Sequence, residues 1–414
     1  MIDRITGNPI FHRVLAFVFV LVGGNALGQA LRSTTREPLL DFGPLYVGAW
    51  MVREGRGFAD LYDPDYFAGV VSHVAPAGRI LDLGATPPAL VFLTYPFTWF
   101  TPEGGKFLFA AAGVAALLCG LFVLGAGRTL GWNRTEWIGF SGLVLWSGAA
   151  KEAVLRGSPA PWVFLFLCFA VSLHAVRRER LAAAAAGIAA NLSPVGWGVL
   201  AYSLWIGSPR ARIVAGLFAS GGLLLQLLAL GPEGLRLYAA AFSDAWLHAP
   251  AWDPSWTGRM AHLLGTVGIP AALVLVAMVA IAGWSRLRAV PEFWREEAPE
   301  SPRRLGTDPP RLPGVVPALV TGLCCLASPE FIRGSSVVWA LPVWASLTWF
   351  EHRPTRVAAI SFVTLAVGCV VPEVVVRHIG TNASANLIAL ASLGLVIWWW
   401  WTTRGWVATD RRSH

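Results

Sequence analysis

The 414-residue chain is 55% hydrophobic and only 14% charged, with a mean hydropathy of +0.57. Soluble domains carry about 25% charged residues, so that class is excluded. The formal charge of +8 is almost wholly arginine, since Lys106 and Lys151 are the only lysines, and it follows membrane topology rather than nucleic-acid binding.

The 21 Trp, 22 Phe and 43 Gly fit packed transmembrane helices with aromatic interface belts, which makes the fold class all-α and polytopic. Charge-free runs cover 14–31, 83–102, 107–127, 137–150, 157–176, 181–209, 213–232, 260–285, 312–329, 334–350, 357–372 and 378–403. A crossing needs about 20 apolar residues, so the pattern predicts a bundle of about 11–12 transmembrane or re-entrant helices. The first run is expected to be a retained signal anchor. Arg4 and Arg13 before it place the N-terminus in the cytoplasm and residues 32–82 outside, as a long first extracytoplasmic loop carrying juxtamembrane helices. The nearly all-arginine basic bias suggests a GC-rich bacterial genome.

Two threadings fit the first half. If 83–102 and 181–209 each cross once, the Arg177–Arg180 segment lies outside. If neither makes a simple crossing, Arg128, Arg134, Arg177, Arg178 and Arg180 lie inside, which the positive-inside rule prefers. Pro87, Pro88, Pro96 and Pro102 in the first run, and Asn191, Ser193 and Pro194 in the second, favour broken helices. Residues 286–311 read as a cytoplasmic linker. It separates an N-terminal module (1–285), with extracytoplasmic loops 32–82 and 233–260, from C-terminal transmembrane helices (312–414). Cys119, Cys168, Cys324, Cys325 and Cys369 lie in apolar runs without ligand spacing, so no disulfide framework, zinc site or other metal is expected.

Polar groups gather in five places. Asp41 begins Asp41-Phe42-Gly43-Pro44-Leu45-Tyr46, and Leu45 to Glu54 suggests an amphipathic helix on the membrane surface. The plain reading of Asp41 is an N-cap there, with a catalytic or ligand role at the interface as the alternative. Lys151 to Pro159 reads as a charged connecting loop. Asn191-Leu192-Ser193-Pro194 is either helix–helix glue or a cavity lining. Ser243 to Arg259 carries His248, Asp253 and Ser255. Ser328 to Ser336 carries Glu330 and Arg333, for which an ion pair is the plain reading. No Walker loop, dinucleotide fingerprint, zinc-protease or nucleophile-elbow motif occurs. Asp60, Asp63 and Asp65 read as a solvated turn rather than a calcium loop.

The series Asp41-Phe42, Tyr46, Ala49, Gly55, Leu61-Tyr62-Asp63-Pro64, then Thr86-Pro87-Pro88-Ala89-Leu90 and Tyr95-Pro96-Phe97, resembles glycosyltransferase family 87. These are GT-C-fold enzymes, similar to the polyprenol-phosphate-mannose-dependent mannosyltransferases. Gly157-Ser158-Pro159, Asn191 to Pro194, Asp253 to Gly258, and Ser328-Pro329 with Val338 to Pro342 continue the likeness. The family's glutamine position reads Ser158 here, its lysine position Ser193, and its histidine position Gly334 or Ser335.

The resemblance implies inverting transfer of a mannose-like hexose or a pentose from a polyprenyl-phosphate donor to a glycolipid or glycan acceptor, at the extracytoplasmic face among membrane lipids and without metal or cofactor. Asp41 is then the general base. Arg156, Arg259 and Arg333, with Asn191, Ser193 and Ser158, are the expected donor phosphate and sugar ligands. Tyr46, Tyr62, Asp63, His248, Asp253, Ser255 and Glu330 are expected to contact the acceptor or line the site. The alternative is a non-catalytic GT-C-like protein or a lipid-linked sugar translocator.

Overall fold

The computed structural model describes residues 9–57, 59–74, 83–84, 86–126 and 134–247, with scattered positions between 260 and 278. The linker 286–311, the C-terminal helices from 312, and His248, Asp253, Ser255, Arg259, Glu330 and Arg333 lie outside the described residues. The protein is an all-α polytopic membrane protein, with no strand among the described residues.

Three helices are long and apolar enough to cross a bilayer, over Arg13–Ser33, Pro102–Gly125 and Pro209–Asp244. The first belongs to α1 (Pro9–Ser33), which packs along α6 (Arg134–Trp146), with the Phe19 and Trp146 rings stacked at 6.3 Å. After α1 the chain turns through residues 34–41 into α2 (Phe42–Arg53), a 3-10 turn (Ala59–Tyr62) and α3 (Pro64–Val74). The expectation of a surface helix at Leu45 to Glu54 is corrected here. Phe42, Leu45, Tyr46, Val47, Gly48, Ala49 and Met51 are all buried, too many for a helix with one wet face. The small residues Gly48 and Ala49 let neighbours close over the side the sequence leaves to water or lipid.

Run 83–102 forms only a short helix, α4 (Pro88–Thr94), and a 3-10 turn (Tyr95–Trp99). Proline explains both limits: Pro88 starts α4 without needing a donor, and Pro96 re-enters at once, before the residues can build a crossing. The span α5 (Pro102–Ala126) follows. Run 137–150 is likewise not one helix. It breaks at Ser147, whose Oγ accepts the Ala150 N–H at 3.1 Å and so caps a new helix, α7 (Gly148–Arg156). Residues 151–156, expected as a connecting loop, are therefore helical.

The core lies between α5, α8 (Ala160–Ala175) and α9 (Glu179–Leu192). Phe164, Leu167, Cys168 and Val171 are fully buried there, against an alanine-rich face of Ala182, Ala183, Ala186 and Ala189. Small residues let membrane helices approach closely, where dispersion replaces the hydrophobic drive of water. Run 181–209 folds as a hairpin of α9 and α10 (Gly196–Ile206), divided where Ser193 takes an extended conformation before Pro194. The last described element, α11 (Pro209–Leu247), turns at Gly231, whose φ of 65° and ψ of −179° suit glycine alone, and Pro232 supplies no amide to mend the ladder. The first part of the expected loop 233–260 is thus helical through Leu247. Before the turn α11 packs on α9, and after it Leu237, Tyr238 and Ala241 pack on the cluster around Phe42, Tyr62 and Phe109. Outward apolar residues such as Phe17, Leu21, Leu217, Leu224 and Leu228 suit lipid.

Candidate functional site

Asp41 stands immediately before α2, but its carboxylate makes no capping bond. Instead it meets the guanidinium of Arg156, the last residue of α7. The Arg156 Nε donates to Oδ1 at 2.9 Å and to Oδ2 at 3.0 Å, and Nη2 donates to Oδ1 at 2.6 Å. The Asp41 side chain is only 7% exposed and that of Arg156 23% exposed, so the pair is largely shielded while Arg156 keeps some access to the outside. Glu152, one turn back on α7, lies 3.9 Å from Arg156 Nη1. Burial works against the Arg156 charge, but the hydrogen bonds and charge of Asp41, helped by Glu152, more than offset it and raise the guanidinium's pKa.

Local chemistry ends α7 at that position. Gly157 adopts φ 67°, and the Gly157 N–H donates to the Val154 carbonyl at 3.1 Å while the Ser158 N–H donates to the Ala153 carbonyl at 2.8 Å. These two hydrogen bonds close the helix in a left-handed turn that glycine accepts without strain. The turn also brings the chain against Phe42, the residue after Asp41. The two partners of the ion pair are therefore held by contacts between their sequence neighbours. Ser158, buried beside Arg156, accepts the Ala160 N–H at 3.3 Å as α8 begins.

One residue of this region was not singled out as a site residue from sequence. Lys106, on the first turns of α5, is fully buried, and its Nζ donates to the carbonyls of Thr34 at 3.0 Å, Glu37 at 3.3 Å and Pro38 at 2.9 Å. Its signal was available: a lone lysine heading an apolar run, in a chain whose cations are otherwise nearly all arginine.

The other expected site residues divide by what they touch. Tyr46, on α2, donates its hydroxyl to the Phe100 carbonyl at 2.8 Å; burial pushes its phenol up, Arg53 opposes and Glu103 adds to the rise. Tyr62 donates to the Thr86 carbonyl at 2.6 Å and packs on Tyr238 with ring centroids 5.0 Å apart. Asp63 caps α3, its Oδ1 accepting the N–H groups of Asp65 at 3.0 Å and Tyr66 at 3.1 Å. Asn191 ties α9 to α11: its Nδ2 donates to the Phe218 carbonyl at 3.1 Å and its Oδ1 accepts from Gln226 at 2.8 Å. Ser193 accepts the Val195 N–H at 3.3 Å within the hairpin turn. Among the described residues the structure thus joins Asp41 to Arg156, with Ser158 two residues further along the chain. It engages Tyr62, Asp63, Asn191 and Ser193 in local or interhelical bonds. No group of His, Cys, Asp and Glu side chains among the described residues is arranged to hold a metal.

The fold and this shielded carboxylate–guanidinium pair define a polytopic membrane protein with an ionic centre between its helices. A model of glycosyltransferase family 87 matches residues 86–301, just over half the chain, and the protein belongs to that family. It is a membrane glycosyltransferase, as the resemblance implied. The match includes Lys106 and Arg156 and begins after Asp41. No curated protein and no solved structure matches the chain.

Proposed function

We propose that the enzyme transfers a mannose-like hexose or a pentose from a polyprenyl-phosphate donor to an acceptor hydroxyl, at the extracytoplasmic face of the bacterial inner membrane, with Asp41 as general base. The acceptor is a glycolipid or glycan, and membrane lipids surround the donor's polyprenyl chain. The observation that carries this reading is the diversion of the Asp41 carboxylate from capping to Arg156. A carboxylate has about four acceptor positions. Here Oδ1 receives two Arg156 bonds and Oδ2 only the shared Nε bond, so Oδ2 retains capacity for a hydroxyl proton.

In the proposed step the acceptor O–H gives its proton to Asp41 Oδ2 as its oxygen attacks the anomeric carbon from the face opposite the phosphate. The new C–O bond forms, the bond from the anomeric carbon to the phosphate oxygen breaks, and its electron pair leaves on the polyprenyl phosphate. Inversion follows from this geometry. Negative charge disappears from Asp41 as it grows on the leaving phosphate, so an adjacent Arg156 can follow it, and guanidinium suits phosphate oxygens in pairs. Arg259 and Arg333 remain proposed phosphate ligands, with Ser158 and Ser193 on the donor side, whereas the Asn191 amide is engaged with α11. Tyr46, Tyr62, Asp63, His248, Asp253, Ser255 and Glu330 are the proposed acceptor-side residues.

The test is Asp41→Asn, assayed in proteoliposomes with polyprenyl-phosphate mannose and pentose donors. Loss of the base is expected to lower transfer by about 10²–10⁴-fold without loss of membrane insertion. A variant that transfers at the wild-type rate would remove Asp41 from the mechanism.

A further inference from the structure

We propose that Lys106 is a positioning residue that sets the Asp41–Arg156 pair, an inference that rests on the reading of Asp41 as the base. The segment between α1 and α2 has few backbone bonds: Thr34 donates to the Leu31 carbonyl, Arg36 and Glu37 to that of Ser33, Leu40 to that of Pro38, and Leu39 accepts from Gly43. The carbonyls of Thr34, Glu37 and Pro38 converge instead on one ammonium. An ammonium has three donors, and all three are used, which leaves none for a substrate phosphate. That saturation separates Lys106 from a donor-binding lysine.

The same side chain touches the chain on either side of the pair, before Asp41 and after Arg156. Its head gathers the residues that lead directly into Asp41. Its stem lies against the turn after Arg156, where a Cβ on Gly157 would stand 3.3 Å from Lys106 Cγ. Thr34 adds a second link, since its one hydroxyl proton is shared between the Ala30 carbonyl at 2.9 Å and the Val154 carbonyl on α7 at 3.4 Å. Thr34 and Lys106 are both wholly buried. An interior lysine is costly, and here three hydrogen bonds offset that cost while fixing the path of the chain toward Asp41. Arginine would not replace it, because a planar fork cannot converge on three carbonyls gathered at one point.

The experiment compares the full-length wild type with Lys106→Met and Thr34→Val in nanodiscs. It reads hydrogen–deuterium exchange together with kcat and donor KM, using polyprenyl-phosphate mannose and pentose donors. In Lys106→Met, exchange over residues 34–43 is expected to rise about tenfold while α8 keeps its protection. The kcat per folded molecule is expected to fall roughly 10–100-fold, as for a small displacement of a catalytic group. Donor KM is expected to stay within about twofold, since no ground-state contact is lost. Thr34→Val, nearly isosteric and so retained if the methionine variant fails to fold, is expected to lower kcat several-fold in the same pattern.

Wild-type exchange over 34–43 in a folded Lys106→Met protein overturns the proposal. So does a kcat in either variant equal to wild type, or a raised donor KM at unchanged kcat. If wild type transfers none of these sugars, the base reading falls, and the exchange comparison alone decides whether Lys106 holds the segment before Asp41.

Discussion

Gly157 approaches Phe42 so closely that a methyl group on its Cα would stand 2.8 Å from the Phe42 Cβ. With φ at 67° the position also disfavours any side chain. Gly157→Ala is expected to cost about 2–4 kcal/mol, combining the left-handed penalty with overpacking. Because the strain falls between Asp41 and Arg156, transfer per folded molecule should drop as well. A thermal unfolding midpoint measured beside single-turnover transfer checks both, and an unchanged midpoint would contradict the contact.

Removing one partner of the shielded pair should hurt more than removing its charge symmetrically. Arg156→Met leaves Asp41 with no cation bonded to it, and is expected to destabilise by roughly 2–4 kcal/mol, less than the fully buried limit because Arg156 keeps some solvent. The double variant Asp41→Asn with Arg156→Met should recover much of that stability while remaining inactive. A double-mutant cycle on denaturation midpoints is the measurement, and simple additivity would show that the two side chains do not interact.

Asn191 distinguishes two roles that a sequence leaves open. Its amide is spent on α11, so Asn191→Ala is expected to lower stability by about 0.6–1.7 kcal/mol, from the average to the largest of polar contacts between membrane helices. Donor KM should not change. A raised donor KM at constant stability would return Asn191 to the donor site.

Glu179 offers a pH-dependent contact away from the pair. Its carboxylate accepts the Ser208 N–H at 2.8 Å, joining the start of α9 to the start of α11. Burial pushes its pKa up, but the Ser208 hydrogen bonds, with His174 and Arg177, bring it below the ordinary 4.5. A depressed carboxylate stabilises the fold fully above its unfolded pKa and loses that contribution as pH falls through the folded one. Wild type should therefore lose more stability than Glu179→Gln between pH 5 and the acid limit, as midpoints over a pH series would show. Parallel curves would refute the assignment.

What the sequence made legible was what depends on composition and short spacing. Charge-free runs located the long spans, and prolines marked where 83–102 and 181–209 break. The position of Asp41 at a helix start was readable too. Its partner was not, because Arg156 lies 115 residues away and no periodicity reports such a contact. Lys106 stood at the head of an apolar run, where a charged residue is ordinarily taken as an interface anchor; only the three converging carbonyls reveal its task. The burial of α2 escaped for a related reason: a helix covered by protein on nearly all sides has the same apolar content as one resting on lipid.

The turn at Gly231 has a mechanical meaning. Since the hydrogen-bond ladder of α11 is interrupted there, its two arms are joined as by a pivot rather than a rod. The two arms therefore carry separate attachments, the first resting on the alanine face of α9 and the second holding Tyr238 against Tyr62.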